Sequence, residues 1–406
     1  MPDNESADGS ISPGNAIEEA IKLAAVLRRQ CVQSGTKSVN WNSFCFDPAS
    51  RKRAVRPMNF RLYDGICGPA LFLAALERVT GGAGCRDLLV LIADQLMSQL
   101  GAPEVVRAFD IGAATGVPSV IYTLARIAAY LEDTSFLDKA VQLACLLSVD
   151  AIRNDSAFDL MGGSAGCIVA LLAVHRMRPG AGFLIDLAIR CGEHLLACRK
   201  PGDAGLRSWP TYMGRMQSGF AHGAAGIAYA LAALYKVTTE ETFRDAAVEA
   251  CAFENTLFVE ETGNWQDYAG SPPDLQYFQW CHGVAGIGLG RLGMLHLDSP
   301  FLQHDGLGAA LQTAVTRPAP LDHACCGNVG RVELLLVAGM LDELYDRRAR
   351  LLAGFILRRA RARGNYGMGI GSDQDNLSFH QGISGIGYQW LRLADPILVP
   401  SVLLWQ

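Results

Sequence analysis

An all-α fold, a double α/α-barrel toroid with seven inner and seven outer helices, is predicted by three features of this 406-residue sequence. A glycine-bearing phrase recurs seven times, the helix behind each phrase is apolar on nearly every face, and the intervening helices carry a one-sided apolar stripe. The phrases are LYDGICGPALFLAAL, DIGAATGVPSVIYTLARI, LMGGSAGCIVALLAV, FAHGAAGIAYALAAL, WCHGVAGIGLGRLGM, CCGNVGRVELLLVAG and HQGISGIGYQWLRLA. Each is a small or polar loop closing on a glycine, at Gly68, Gly116, Gly166, Gly226, Gly286, Gly330 and Gly385, with spacings of 44 to 60 residues. Repeats of this period mark architectures built from stacked helical units.

A helix that is apolar all round has to be buried all round. Between such helices lie SFLDKAVQLACLLSV, FLIDLAIRCGEHLLACR and ETFRDAAVEACAF, whose apolar residues recur every three or four positions opposite charged ones. Each repeat therefore offers one buried helix and one half-exposed helix. An open solenoid would leave inner apolar faces bare, so a closed ring is predicted. Few alternating polar and apolar runs occur, which leaves little of the chain for strands. Residues 1–15, MPDNESADGSISPGN, read as a flexible polar tail without the apolar segment of a signal peptide. Residues 16–406 read as a single unit of seven repeats.

Composition narrows the function. Half of the residues are hydrophobic and 18% are charged, which suits a large core rather than a disordered chain. A net charge of −5 carries no electrostatic footprint for nucleic acid. No run of about 18 apolar residues is present, so no transmembrane segment is expected. The twelve cysteines lack the dense spacing of a secreted disulfide scaffold and point to a reducing, cytoplasmic setting.

Closure would bring all seven loops to one end of the ring around a shared cavity. Four and five positions before each closing glycine stand Tyr63–Asp64, Ile111–Gly112, Met161–Gly162, Ala221–His222, Cys281–His282, Cys325–Cys326 and His380–Gln381. The last four pairs all contain histidine or cysteine, and three of the chain's eight histidines fall here. Asp64, Asp110 and Asp159 lie in the first three loops; Asp64 and Asp110 read as helix N-caps. Cys67, Cys145, Cys167, Cys191 and Cys251 sit on helical apolar faces and read as small core side chains. Thiols in polar glycine loops read differently: Cys281, Cys325 and Cys326 around one cavity suggest a transition metal, with soft sulfur favouring zinc.

WCHG, CCGNVG, the AHG loop and the closing FHQGISGIGYQWLRLADPILVPSVLLWQ resemble the cyclase domain of lanthipeptide synthetases, most closely its class II form. The resemblance extends over residues 16–406. It implies one zinc ion per chain at the mouth of the toroid, held by Cys281, Cys325 and Cys326, the last standing where the family usually has histidine. It implies His222 as the catalytic histidine, supported by Asp159, with His282 beside the metal as a further site residue. Tyr277 stands where some stand-alone members have an arginine. The implied reaction adds a cysteine thiol of a dehydrated precursor peptide to a dehydroalanine or dehydrobutyrine, giving a lanthionine or methyllanthionine ring. No dehydratase-like segment precedes the toroid, so a dehydratase domain or partner enzyme is expected to act upstream. A non-cyclising zinc- and glutathione-binding member of the same superfamily and a glycoside-processing α/α barrel are the competing readings. The latter requires paired carboxylates in the mouth.

Overall fold

The helices behind the glycine loops close into a ring. The computed structural model describes residues 9–34, 38–47, 52–202, 205–272, 277–297, 306–316, 318–369 and 376–406. In chain order its helices are α1 (Pro13–Gln30), α2 (Cys67–Thr80), α3 (Arg86–Leu100), α4 (Pro103–Val106), α5 (Val117–Leu131), α6 (Thr134–Ala144), α7 (Val149–Arg153) and α8 (Ser164–Met177). There follow α9 (Phe183–Cys198), α10 (Ala224–Thr238), α11 (Glu241–Asn255), α12 (Val284–Gly293), α13 (Gly306–Val315), α14 (Asn328–Gly339), α15 (Glu343–Arg363) and α16 (Ile383–Ala394). Helices α2, α5, α8, α10, α12, α14 and α16 each pack on the next, and α16 returns to α2. Around them α3, α6, α9, α11, α13 and α15 each pack on the inner helix that precedes them. The seventh outer position is filled by α1, which packs against α16. The first helix of the chain thus completes the last repeat.

One boundary is corrected. The polar tail was expected to run to residue 15, but Ile11 is buried and its N–H donates to the Arg350 carbonyl at 3.2 Å. Helix α1 begins at Pro13, its first turn capped by the Ser12 hydroxyl, which accepts from the Asn15 N–H at 3.2 Å. Proline at the first helical position and serine before it fit a helix start. Residues 1–8 lie outside the described residues. Few strands were expected, and the stretch after α1 holds two short antiparallel hairpins: β1 (Val32–Ser34) with β2 (Ser38–Asn40), and β3 (Asn42–Asp47) with β4 (Lys52–Pro57). Trp41 anchors them, buried with its indole N–H donating to the Leu27 carbonyl at 2.8 Å.

The recurring glycine has a steric cause. A Cβ at Gly226, Gly286 or Gly385 would stand 1.9, 1.8 or 2.0 Å from the carbonyl oxygen of Phe220, Trp280 or Phe379, six residues earlier. Only hydrogen fits where the loop folds back on its own helix. This return aims every inner-helix N-terminus at the same end of the ring. The loops are also tied to one another. N–H groups of Ala221, Cys325, His380, Tyr63 and Ala114 donate to the carbonyls of Cys281, His380, Tyr63, Ala114 and Met161, at 2.8 to 3.3 Å.

These bonds correct one register. The second repeat contributes Ala114 and Thr115 to the rim rather than Ile111 and Gly112. Gly116 caps α5 there, as Gly223 caps α10, so Ser119 takes the place of the closing glycine. The buried Ser119 hydroxyl accepts from the Leu62 N–H at 3.3 Å.

Residues 399–406 run inside the ring. Val399, Val402, Leu403, Leu404 and Trp405 are buried. Their carbonyls take hydrogen bonds from inner-helix side chains: Tyr229 to Leu404 at 2.7 Å and Arg176 to Trp405 at 3.2 Å. The Trp405 indole donates to the Ala113 carbonyl at 3.3 Å and packs on Trp280, 6.0 Å between ring centres. Trp280 adjoins Cys281, so this segment forms the floor beneath the rim.

Candidate metal centre

Three sulfurs meet at the rim. Cys281 comes from the loop before α12, and Cys325 and Cys326 from the loop before α14. The three Sγ atoms lie within 4.8 Å of one another. Cys281 and Cys326 are 3.6 Å apart, and Cys325 and Cys326 are 3.4 Å apart. Cys281 and Cys325 are buried while Cys326 is half-buried. Zn–S bonds of about 2.3 Å in a tetrahedron hold sulfurs roughly 3.8 Å apart, so this spacing suits three legs of such a site. Among the described residues no other group of three or more histidine, cysteine or acidic side chains converges in this way.

Electrostatics also suit a cation. Hydrogen bonding with Cys325 and Cys326, together with burial, holds the Cys281 thiol well above its ordinary range. The Cys281 contact draws Cys325 down, but the Cys326 contact and burial outweigh it, so Cys325 is raised as well. Cys326 is drawn down to about 3 by its contacts with Cys281 and Cys325, with His323 and His282 adding attraction. Three thiols in one pocket share little negative charge unless a cation joins them. Cys326 also lies just before the N-terminus of α14, where the helix dipole favours a thiolate.

Both predicted histidines stand beside the cluster, each held by a buried carboxylate. His222 Nδ1 is 2.8 Å from Asp159 Oδ2, and Asp159 Oδ1 accepts from the Gly162 N–H at 2.8 Å. The Asp159 backbone is itself braced. Phe158 has a left-handed φ of 62°, and the neighbouring Asp155 carboxylate accepts from the Phe158 N–H and from the Ser164 N–H and hydroxyl. A non-glycine residue in that region carries strain of order 1 kcal/mol, which the surrounding bonds offset. His282 Nδ1 is 3.0 Å from Asp267 Oδ1, and the other Asp267 oxygen accepts from Gln217 at 2.9 Å. The two imidazoles lie 5.2 Å apart, with the exposed Tyr212 ring 5.2 Å from His222.

The remaining candidates divide. His323 is buried, and its Nδ1 accepts from the Cys326 N–H at 3.3 Å, bracing the thiol loop. His380 is fully buried, stacked 4.9 Å from Tyr63 and tilted 5.3 Å from Trp280. Burial holds it neutral, its pKa lowered to about 3. The N-cap expectation fails for Asp64 and Asp110: neither α2 nor α5 has a side-chain cap. Asp64 instead accepts from Asn59 at 2.9 Å. Asp267, Tyr212 and Gln217 were not singled out in the sequence, because they come from segments between the repeated phrases.

Fold and site together define a double helical ring with a three-thiol cluster and two carboxylate-held histidines at its mouth. A family model described as lanthionine synthetase C-like protein matches residues 56–404, and the chain belongs to that family. A lacticin 481/lactococcin biosynthesis protein, LcnDR2, of Lactococcus lactis subsp. lactis is 28% identical over 189 residues. That match covers 43% of this chain and spans 20% of the relative's length. Among solved structures, nisin cyclase superposes with a TM-score of 0.68 at 17% identity, covering 97% of each chain. The unsaturated glucuronyl hydrolase of Bacillus sp. GL1 superposes at 0.50 with 14% identity, covering 89% of this chain and all of that one. At these identities the likeness is one of fold. Among the described residues no helix is long and apolar enough to cross a membrane.

Proposed function

We propose that this chain is a zinc-dependent lanthipeptide cyclase, closing lanthionine and methyllanthionine rings in a dehydrated precursor peptide. The observation that carries the reading is the convergence of Cys281, Cys325 and Cys326 beside the His222–Asp159 pair. When bound there, zinc supplies a fourth position at which a peptide thiol is held as its thiolate near neutral pH. With Nδ1–H given to Asp159, His222 has Nε2 left to carry protons. His222 takes the proton that the thiol gives up on binding and holds it while sulfur bonds to the β-carbon of the dehydro residue. The alkene electrons move to an enolate, and His222 returns the proton to its α-carbon. Overall, S–H adds across C=C with nothing else consumed. His282, held by Asp267, lines the same side and orients the peptide. The dehydro residues come from a dehydratase domain or partner enzyme acting first, in the cytoplasm, and residues 16–406 work as one unit.

The shared fold with a glycoside-processing enzyme supports no second reading. A glycosidase needs two carboxylates free to act on sugar, and Asp159 and Asp267 are each engaged by a histidine. The test is incubation of the zinc-loaded protein with a dehydrated, cysteine-bearing peptide, followed by counting free thiols with an alkylating reagent. Loss of peptide thiols by wild type, and at least a hundredfold slower loss by His222→Asn, is expected. Stoichiometric thiol binding without ring formation would instead mark a non-cyclising, glutathione-binding relative.

A further inference from the structure

Tyr63 occupies, in the first loop, the rim position that Cys281, Cys325 and His380 occupy in theirs. Its backbone is pinned on both sides: the N–H donates to Ala114 at 3.0 Å, and the carbonyl accepts from His380 at 3.2 Å. Its ring stacks on His380 at an interplanar angle of 19°. So held, its hydroxyl donates to Cys325 Sγ at 3.4 Å.

We propose that the Tyr63 hydroxyl is a positioning residue for the metal centre, donating to the Cys325 sulfur and moderating the charge that three thiolates place on bound zinc. The inference rests on the metal reading above and deepens it. A zinc ion with three thiolates carries a net charge of −1, and a substrate thiolate makes it −2. Each added charge weakens the hold of the metal on its sulfurs. A hydroxyl donating to one protein sulfur draws electron density from it, so the metal keeps its affinity for the remaining ligands, including the substrate. The arrangement gives Cys325 a role distinct from that of Cys326. Cys325 is buried beneath the tyrosine, whereas Cys326 is half-buried and flanked by His323 and His282.

The test replaces the metal with Co2+, whose sulfur-to-metal charge-transfer absorption reports electron density on the thiolates directly. Tyr63→Phe keeps the ring and its stack on His380 and removes only the donor. In the variant the charge-transfer band is expected to move to lower energy. Zinc affinity, measured by competition with a chromophoric chelator, is expected to fall roughly ten- to a hundredfold, the scale of one hydrogen bond to a charged acceptor. A band that stays in place or moves to higher energy overturns the assignment, whatever the affinity. Absence of any charge-transfer band in the Co2+-loaded wild type would overturn the metal reading itself, which separates the two failures.

Discussion

Replacing Asp159 by asparagine keeps the size of the side chain and removes the charge that faces His222. The carboxylate is buried and 2.8 Å from Nδ1, so it acts on an imidazolium in a poorly solvated setting. Two unit charges about 4 Å apart interact by about 4 kcal/mol at an effective dielectric near 20. The asparagine carbonyl retains part of the hydrogen bond, and the charge-assisted share of such a bond is about 2–3 kcal/mol. At 1.36 kcal/mol per tenfold, ring closure should slow roughly 30- to 150-fold. The assay follows disappearance of peptide thiols under single-turnover conditions, with zinc content measured on the same samples. Asp159→Asn/His222→Asn should be little slower than His222→Asn alone, because the carboxylate acts through the histidine. A zinc-replete Asp159→Asn protein within threefold of wild type would refute the pairing, and so would additive losses in the double variant.

Further outcomes follow from the same geometry. Cys326→His should retain zinc but slow ring closure, since a neutral donor in place of a thiolate leaves the held substrate sulfur less nucleophilic; an equal or faster rate contradicts this. In chelator-treated protein, Cys326 should react with iodoacetamide ahead of Cys281 and Cys325. Its rate should fall less steeply with falling pH than that of an ordinary thiol, which loses about tenfold per pH unit, because its contacts with Cys281 and Cys325 draw the thiol down. Mass-spectrometric mapping of the first alkylated cysteine decides it. Gly286→Ala would place a methyl 1.8 Å from the Trp280 carbonyl and 2.6 Å from the Phe220 Cβ. It should cost about 2–4 kcal/mol of stability by thermal or urea unfolding, and a loss below 1 kcal/mol would show that the loop can yield.

The ring was legible because its repeating contact is local. A closing glycine against the carbonyl six residues earlier is the same steric problem solved again in loop after loop, and sequence records it directly. The thiol cluster was legible for a related reason: Cys281, Cys325 and Cys326 occupy repeat positions, so closure of the ring alone predicts that they meet. What escaped reading depends on distant partners. Gly116 looks like a closing glycine until the hydrogen bond from Tyr63 to Ala114 shows that Ser119 holds that place. Asp267 sits in a connecting segment with no repeat phase, and nothing local ties it to His282. The segment 399–406 reads as an ordinary apolar run. Its place under the rim follows only from hydroxyl and guanidinium donors on helices more than 150 residues earlier, such as Tyr229 and Arg176. Asp64 and Asp110 carried a plausible capping signature, but glycine at the start of α5 leaves no side chain to cap and Asp64 turns to Asn59.

The central claim is that three sulfurs at the rim hold one zinc ion. Elemental analysis of protein purified without chelators, for wild type, Cys281→Ala and Cys325→Ala/Cys326→Ala, tests it most directly. About one zinc per wild-type chain is expected, with loss of zinc from both variants while the helical circular dichroism persists. Metal-free wild type that fails to take up added zinc, or cysteine variants that keep it, would contradict the account and return Cys325 and Cys326 to the role of packed thiols.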